Sequence, residues 1–277
     1  MKPRINIIYI STSGNTKKAA RQLAEELSDW AEVCIISLKS AQYDIEAVLH
    51  ADIVGIGGPV FHLRMLPPIK KFIDALEKLG KNSNAAKGKK PGFFIFCTYA
   101  GITSGLSLIK TAKQLRKADY NLYGAMKLRA KHFYQDDIVF PDENMENTIG
   151  DFSKTLKQRY NSGSSSFKIQ NKIGYQPLKI KVIYYIVPLF SSKRLPDIVL
   201  DKQACVGCKA CVRVCPTEAI QVIDGKAARN KNLCIHCYQC AEICPKNALR
   251  YNQRKFVNIV EGNKKILGLE QPPNAVL

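Results

Sequence analysis

The chain has 277 residues, which is room for about two domains, and it contains ten cysteines. Its 42 lysines and arginines outnumber its 23 aspartates and glutamates, so the formal net charge is +19. Such a charge favours an acidic protein partner or an anionic surface. A nucleic-acid ligand is the weaker interpretation, because the positive charge is spread along the chain without a recognition motif.

The first 160 residues alternate between predicted strands and predicted helices. Apolar and β-branched runs predict strands at residues 4–10, 32–37, 52–57, 92–98 and 122–128. Helices are predicted at residues 17–30, 68–79, 104–117 and 143–160. This β-α-β order predicts an α/β domain with an open, doubly wound parallel sheet of five strands and helices on both faces.

The polar turn between the first strand and the first helix is suited to binding an anion. It consists of Ser11, Thr12, Ser13, Gly14, Asn15 and Thr16. The turn combines hydroxyl groups with a glycine that permits close backbone approach, and the helix start offers free N–H groups to an anion. The spacing to a Lys-Ser/Thr pair that defines a P-loop is missing. Lys17 and Lys18 follow and are predicted to be solvated, with phosphate binding as the alternative.

This turn resembles the phosphate loop of the flavodoxins, S/T-x-S/T-G-N-T, which binds the phosphate of FMN. Thr12 departs from the pattern, since many flavodoxins have glycine at that position. The resemblance covers about residues 3–160 and implies a flavodoxin-like FMN-binding domain over residues 1–160. It also implies that loops after the third and fourth strands contact the flavin ring, through Pro59, Val60 and Phe61 and through Thr98, Tyr99, Ala100 and Gly101.

Several side chains near these loops admit two interpretations. Phe61 and Tyr99 either stack on the flavin ring or fill space in the loops, and His62 is either a flavin hydrogen-bond partner or a bystander. All the candidate loops follow predicted strands, and ligands of open α/β sheets bind outside the carboxyl ends of the strands. Cys34 and Cys97 are predicted to be core residues of the second and fourth strands.

A linker is predicted over residues 161–198. It begins with a flexible break, NSGSSS, and contains the apolar run VIYYIVPLF at residues 182–190 between basic residues. Nine residues are too few to cross a bilayer, which needs about 20. The run is predicted to pack between the two domains, with contact at a membrane interface as the alternative. The tail, residues 253–277, carries no recognisable chemistry.

Eight of the ten cysteines form two copies of the pattern C-x2-C-x2-C-x3-C-P. The copies are Cys205, Cys208, Cys211 and Cys215, then Cys234, Cys237, Cys240 and Cys244. Structural zinc needs only paired C-x2-C knuckles, so the third cysteine and the C-P ending are surplus to it. A disulfide framework suits small secreted domains, whereas this sequence opens with MKPRINIIYI, which lacks the pattern of a signal peptide.

Both copies resemble the cysteine runs with which bacterial-type ferredoxins hold [4Fe–4S] clusters. The resemblance implies a small α+β two-cluster ferredoxin domain over residues 199–252 and a location in a reducing cytoplasm. In two-cluster ferredoxins the fourth cysteine of each run binds the other cluster. It therefore implies one cluster on Cys205, Cys208, Cys211 and Cys244, and another on Cys234, Cys237, Cys240 and Cys215.

The chain as a whole resembles the fused flavodoxin–ferredoxin proteins of anaerobic bacteria and archaea. This implies electron relay between two clusters and FMN, with exchange to an external redox partner such as an acidic ferredoxin or flavodoxin. Lys202, Lys209 and Arg213 lie in or beside the first cysteine run and are the predicted contact face. The alternatives are an FMN-dependent oxidoreductase that reduces a small acceptor and a redox-sensing or assembly protein. No Ser-His-Asp set or paired carboxylates are recognisable, so no catalytic residue is predicted.

Overall fold

The computed structural model describes residues 2–38, 44–82, 90–135, 139–163, 195–268 and 273–277, with 178, 182 and 185 as single residues. The chain divides into two units, Met1–Tyr184 with Leu269–Leu277 and Tyr185–Gly268. Most of the predicted linker, including the apolar run at 182–190 apart from residues 182 and 185, lies outside the described residues. The predicted tail is divided between the two units.

The first 163 residues contain six strands and five helices in the described ranges. The strands are β1 (Arg4–Tyr9), β2 (Glu32–Ser37), β3 (Ile53–Phe61), β4 (Arg64–Met65), β5 (Gly92–Ala100) and β6 (Leu122–Ala130). The helices are α1 (Asn15–Leu27), α2 (Ile45–Leu49), α3 (Pro67–Asn82), α4 (Ser107–Lys117) and α5 (Glu143–Ser162).

Short elements dominate residues 195–277. They are β7 (Val199–Leu200), α6 (Ala210–Val214), β8 (Ile220–Ile223), β9 (Lys226–Arg229), α7 (Gln239–Glu242), β10 (Leu249–Arg250), α8 (Gln253–Leu267) and β11 (Ala275–Val276). None of the helices in the described residues is long and apolar enough to cross a membrane.

The main sheet has the strand order β11-β6-β5-β3-β1-β2. The five predicted strands are parallel, which confirms the doubly wound architecture. Two antiparallel additions extend it beyond the predicted five strands, because β4 pairs with β3 and β11 pairs with β6. Strand β11 comes from the predicted tail, residues 253–277, in which the sequence indicates no function. Part of that tail therefore has a structural role as the last strand of this sheet.

The core of this unit lies between the sheet and helices α1 and α5. Helix α1 buries Leu23 and Leu27 at helical spacing, and α5 buries Ile149 and Phe152 against the same cluster. Cys97 is fully buried, as predicted, but Cys34 is exposed. The prediction for Cys34 was wrong because β2 is the edge strand of the sheet, and the β-branched sequence pattern does not distinguish an edge from a centre.

Glycines in β3 make room for aromatic rings of β5. Gly55 is aligned with Phe94 and Gly57 with Phe96 in the parallel register. A Cβ atom at either glycine would overlap the aligned ring. The sheet can therefore bury both phenylalanines completely between its central strands and the helices.

The second unit contains two small antiparallel sheets, β7 with β10 and β8 with β9. The two cysteine runs lie between these strands, and each contains a helix of four or five residues, α6 with Cys211 or α7 with Cys240. Helix α8 extends the unit to Gly268 and buries Phe256, whose ring meets Tyr238 edge-on with centroids 4.9 Å apart. Regular structure is sparse here, and a small domain of this kind depends on bound groups for much of its core.

Candidate cofactor sites

The turn before α1 keeps the conformation and free backbone donors that an anion site needs. Gly14 has φ 86°, in the left-handed region, and as the N-cap residue of α1 it has no side chain with which to cap the helix. Asn15 donates from its side chain to the Lys131 carbonyl at 2.8 Å, and the Thr16 and Thr98 hydroxyls are 2.8 Å apart. These two side chains fix the turn, so its backbone N–H groups remain available to a ligand.

A second observation in this turn fits a phosphate group. The Ser11 hydroxyl is buried, and its oxygen has no hydrogen-bond partner among the residues that the structure describes. A buried hydroxyl normally finds a partner, and a phosphate oxygen would supply one. The first turn of α1 contains no acidic residue to repel an anion. Lys17 is exposed, whereas Lys18 donates to the Phe140 carbonyl at 3.1 Å.

The predicted loop after the third strand is the tip of a β-hairpin. Strand β3 continues through Pro59, Val60 and Phe61, and Phe61 is aligned with Arg64 of β4. The two connecting residues, His62 and Leu63, have φ 47° and 65°, so both central turn positions are left-handed. Turns of this kind usually contain Asn-Gly, and holding another residue in the left-handed conformation costs about 1–3 kcal/mol of folding free energy.

Contacts with the next loop hold the hairpin tip in place. The Leu106 amide donates to the Leu63 carbonyl at 3.0 Å. A Cβ atom at Gly105 would lie 2.6 Å from the Leu63 Cβ, so the two loops approach as closely as glycine permits. The hairpin tip and the loop after β5 are therefore joined through Leu63, Gly105 and Leu106, which are not among the residues predicted to face the flavin.

The predicted flavin-facing residues at the end of β5 contact two different segments, the turn before α1 and the C-terminal segment. Thr98 is buried against Thr16, while Tyr99 is 3% exposed and donates from its hydroxyl to the Pro273 carbonyl at 2.6 Å. Ala100 and Gly101 are half-buried, and Gly101 has φ 109°. Of the two aromatic candidates, Tyr99 packs beside the C-terminal segment and Phe61 is half-buried on the hairpin.

One further loop at this edge of the sheet escaped the sequence analysis. Residues 131–135 follow β6, and the Lys131 carbonyl accepts the hydrogen bond from Asn15. The rings of His132, Phe133 and Tyr134 contact one another, with 4.4 Å between the centroids of His132 and Tyr134. The signal was present, because a loop after the fifth parallel strand must open at the same sheet edge as the others.

In the second unit, the first three cysteines of the first run share a cavity with the last cysteine of the second run. Cys205, Cys208, Cys211 and Cys244 all line it. The Ala227 amide donates to the Cys205 sulfur at 3.4 Å, and the Ala248 amide donates to the Cys244 sulfur at 3.2 Å. Such donors stabilise negative charge on the sulfur atoms. Cys208 is exposed, so this cavity opens to solvent.

The other four cysteines form a second, more buried group. Burial, together with the neighbouring Cys215 and Cys234, raises the pKa of the Cys237 thiol to about 12. Burial likewise raises the pKa of Cys240 to about 12, with contributions from Cys237, Cys234, Cys215 and, more weakly, Cys211. The Ala219 amide donates to the Cys215 sulfur at 3.2 Å.

Crowded thiols of this kind fit an iron–sulfur cluster. They resist ionisation in an apolar site, whereas coordination to a metal deprotonates a thiol outright. Among the described residues, no group of three or more His, Cys, Asp or Glu side chains is arranged to hold a single metal ion. The thiolates of a cubane cluster bind different iron atoms and surround a larger group, so they need not converge on one point.

The backbone repeats between the two cysteine runs. At three pairs of matching positions, both residues have a left-handed backbone with φ between 47° and 66°. The pairs are Gly207 and His236, Lys209 and Tyr238, and Glu218 and Asn247. Left-handed residues turn successive N–H groups toward one side, which produces a concavity for an anion. The matching pair Ala219 and Ala248 donates to the fourth cysteine of each run. The sequence does not indicate these left-handed positions, because only Gly207 is a glycine.

Comparison with known proteins finds two family models in the chain. Residues 6–97 match the flavodoxin domain, and residues 197–245 match the 4Fe-4S dicluster domain. The chain therefore combines the two domains, as in a fused flavodoxin–ferredoxin protein, and FMN and iron–sulfur clusters are its cofactors. A flavodoxin domain with a dicluster domain has a role in electron transfer. No curated protein matches the chain.

Solved structures similar to the chain match a little over half of it. Rubredoxin oxygen:oxidoreductase from Desulfovibrio gigas has 19% identity and a TM-score of 0.46, over 58% of this chain and 37% of that one. A flavodoxin from the domain Archaea has 22% identity and a TM-score of 0.44, over 57% and 99%. A WrbA-like flavodoxin from Agrobacterium tumefaciens has 19% identity and a TM-score of 0.44, over 57% and 99%.

Proposed function

We propose that this chain relays electrons between two [4Fe–4S] clusters and a bound FMN, and exchanges them with an external redox protein. The observation that carries the proposal is the presence in one chain of two four-thiol groups and an uncapped, glycine-led anion turn. Clusters supply one-electron chemistry, whereas a flavin accepts one or two electrons. The protein's part is to bind these groups, orient them and control their access to water.

The cluster ligands are proposed to be crossed between the two cysteine runs. Cys244 lines the cavity of the first run, and Cys215 contributes to the raised pKa values of Cys237 and Cys240 in the second run. Both observations support this pairing. Cys211 also contributes to the raised pKa of Cys240, so the two thiol groups adjoin. Electrons can pass between neighbouring groups inside this unit without an external carrier.

The phosphate of FMN is proposed to bind at residues 11–16. The buried Ser11 hydroxyl and the free N–H groups after Gly14 are the donors that support this assignment. The flavin ring would lie against the joined loops after β3 and β5. Its contacts are proposed to come from Pro59, Val60 and Phe61 and from Thr98, Tyr99, Ala100 and Gly101, with Tyr99 acting through the packing of its loop.

The partner is proposed to be an acidic redox protein that approaches the first cysteine run. Cys208 is exposed there, and Lys202, Lys209 and Arg213 are exposed around it. The Arg213 guanidinium donates to the Cys208 carbonyl at 3.3 Å, which holds this cation beside the cavity. A positive rim around an accessible cluster would attract an acidic surface and speed its encounter.

Substitution of the fourth cysteines tests the ligand assignment and the relay together. In anaerobically purified protein, Cys215→Ala should remove the cluster of Cys234, Cys237 and Cys240, and Cys244→Ala should remove the other. Iron content and electron paramagnetic resonance report which cluster remains. Reduction of the flavin by a protein one-electron donor should slow in both variants, because each variant lacks one of the two clusters through which electrons would pass.

The exposed Cys34 provides the matched control, since Cys34→Ala removes a thiol outside the second unit. It should change neither the clusters nor the rate of flavin reduction. Loss of the Cys205, Cys208 and Cys211 cluster in Cys215→Ala would contradict the crossed ligation. Flavin reduction at the wild-type rate in protein that lacks a cluster would contradict the relay, whatever the ligand pattern.

A further inference from the structure

The two cysteine runs are preceded by different types of residue at one matching position. Ala219 and Ala248 occupy matching places, and so do the strand pairs that flank the runs, in which Leu200 is aligned with Leu249 and Arg229 with Ile220. Leu200 precedes the first run by five residues, and Arg229 precedes the second run by the same interval. At this matching position the repeat therefore has an aliphatic residue before the first run and a cation before the second.

Arg229 is buried next to the second thiol group. Its side chain is 9% exposed, and its Nη2 atom donates to the Asp197 carboxylate and to the Ile198 carbonyl at 3.1 Å. The Arg229 guanidinium also hydrogen-bonds to the Cys234 side chain. The cation therefore lies against the first cysteine of the run.

The Asp197 carboxylate pairs with the two cations beside the second cysteine run, Arg229 and Lys231. Asp197 is half exposed, accepts from Lys231 at 2.9 Å as well as from Arg229, and lies 3.9 Å from the His236 ring nitrogen. Hydrogen bonds from Lys231, Arg229 and the Ile198 amide lower the pKa of Asp197, so it is ionised at neutral pH. Asp197 offsets part of the positive field of Arg229 and orients its guanidinium.

We propose that Arg229 raises the reduction potential of the cluster held by Cys234, Cys237, Cys240 and Cys215, acting through Cys234, and that Asp197 moderates this effect. Each electron that a cluster gains adds negative charge, which a nearby cation in a poorly solvated site stabilises. This inference rests on the proposed assignment of Cys234 to that cluster. The cations around the first run, Lys226 and Arg213, donate to the backbone carbonyls of Cys205 and Cys208, whereas Arg229 adjoins a cysteine side chain; Arg213 is also exposed.

Redox titration of the full-length protein with both clusters in place tests the proposal. Arg229→Leu installs the residue of the matching position and should lower one of the two midpoint potentials. The expected shift is at least a tenfold change in the reduced-to-oxidised ratio, about 59 mV for a one-electron couple. The other midpoint should not change. Arg229→Lys, which keeps the charge, should restore most of the loss.

Two further variants separate a local electrostatic effect from general damage. Asp197→Asn removes the balancing negative charge and should raise the same midpoint that Arg229→Leu lowers. Arg250→Leu is the control, because Arg250 also pairs with an aspartate of this unit, Asp201, but its side chain is 63% exposed. Solvent should screen it, so neither midpoint should move.

Opposite shifts at one cluster cannot come from loosened packing, which would affect both variants alike. Unchanged midpoints in Arg229→Leu, equal shifts of both clusters, or a fall in Asp197→Asn would overturn the proposal. If Arg229→Leu does not retain its cluster, Asp197→Asn and Arg229→Lys decide the outcome. Iron content and the spectra of the wild-type protein report on cluster binding separately, so a failure of the ligand assignment would be distinguished from a failure of the tuning.

Discussion

At the scale of single residues, Gly14 is the position on which the anion turn depends most. Its φ of 86° lies in the left-handed region, yet a Cβ atom there would meet no protein atom within 4 Å. The constraint is therefore conformational, and the open space above it is available for a phosphate group. A side chain at this position costs about 1–2 kcal/mol in the left-handed conformation.

Gly14→Ala should weaken FMN binding about tenfold, because the turn can relax in the free protein and must return to the strained conformation on binding. Fluorescence titration of the deflavinated protein measures this directly. Gly150→Ala is the matched control, since Gly150 lies inside helix α5, without a left-handed φ, and its added Cβ also meets no neighbour. It should leave FMN binding unchanged. Equal FMN affinities in the two variants would show that the turn is not the phosphate site.

The candidate anion turn, Ser11 included, and the eight cysteines could be predicted from sequence because residue types at short spacing define their chemistry. The burial of the Ser11 hydroxyl and the pairing of Arg229 with Asp197 could not be predicted, since both arise only in the folded structure. Asp197 and Arg229 are 32 residues apart in the chain and meet only in the folded unit. Tyr99 likewise carries a contact with Pro273 that no local pattern indicates.

At the scale of elements, the cluster-binding loops depend on close contact between backbone segments. Gly207, between Cys205 and Cys208, has φ 66°, and a Cβ atom there would overlap the Gly225 carbonyl oxygen. Gly225 lies in the turn between β8 and β9 with φ 72°, and its own Cβ would meet nothing within 4 Å. The two glycines share a backbone conformation and differ in steric space.

This difference allows the steric requirement to be measured separately from backbone strain. Gly207→Ala should disturb the cluster of Cys205, Cys208 and Cys211, because the loop must move away from the β8–β9 turn. Gly225→Ala carries the same left-handed strain, about 1–2 kcal/mol, without the overlap, and should retain both clusters. Iron content and cluster stability in chelator compare the two. A loss that is equal in both variants would mean that strain alone is responsible.

The five parallel strands could be predicted from sequence, because buried β-branched runs are a strong local signal. Strands β4 and β11 could not, because they have two residues each and are defined by pairing and not by composition. Helix α1 begins at Asn15, two residues before the prediction, since Gly14 ends the turn in a left-handed conformation. The hairpin at His62 and Leu63 was also missed, because neither residue has a preference for left-handed turns.

At the scale of the whole molecule, the C-terminal segment belongs to the first unit although the second unit precedes it. Leu277 and Ala125 exchange backbone hydrogen bonds of 2.7 and 2.9 Å, and the Arg129 amide donates to the Asn274 side chain at 2.7 Å. Strand β11 thereby covers β6, which would otherwise be an open sheet edge. The chain thus passes from the flavodoxin unit into the cluster unit and back, so the cluster unit is connected to the flavodoxin unit at both ends.

The charge of the whole molecule gives the final prediction. With +19 formal charges, both general attraction and the local cations near Cys208 favour an acidic donor, so the two contributions must be separated. Lys209→Glu and Lys154→Glu change the net charge equally, but Lys209 lies in the first cysteine run and Lys154 lies on helix α5 of the other unit. In stopped-flow mixing with an acidic one-electron donor at low salt, Lys209→Glu should slow cluster reduction several-fold more than Lys154→Glu. The difference should shrink at physiological salt, where the Debye length is about 8 Å, and should reverse in sign with a basic donor. Equal rates for the two variants would place the contact face away from the first cysteine run.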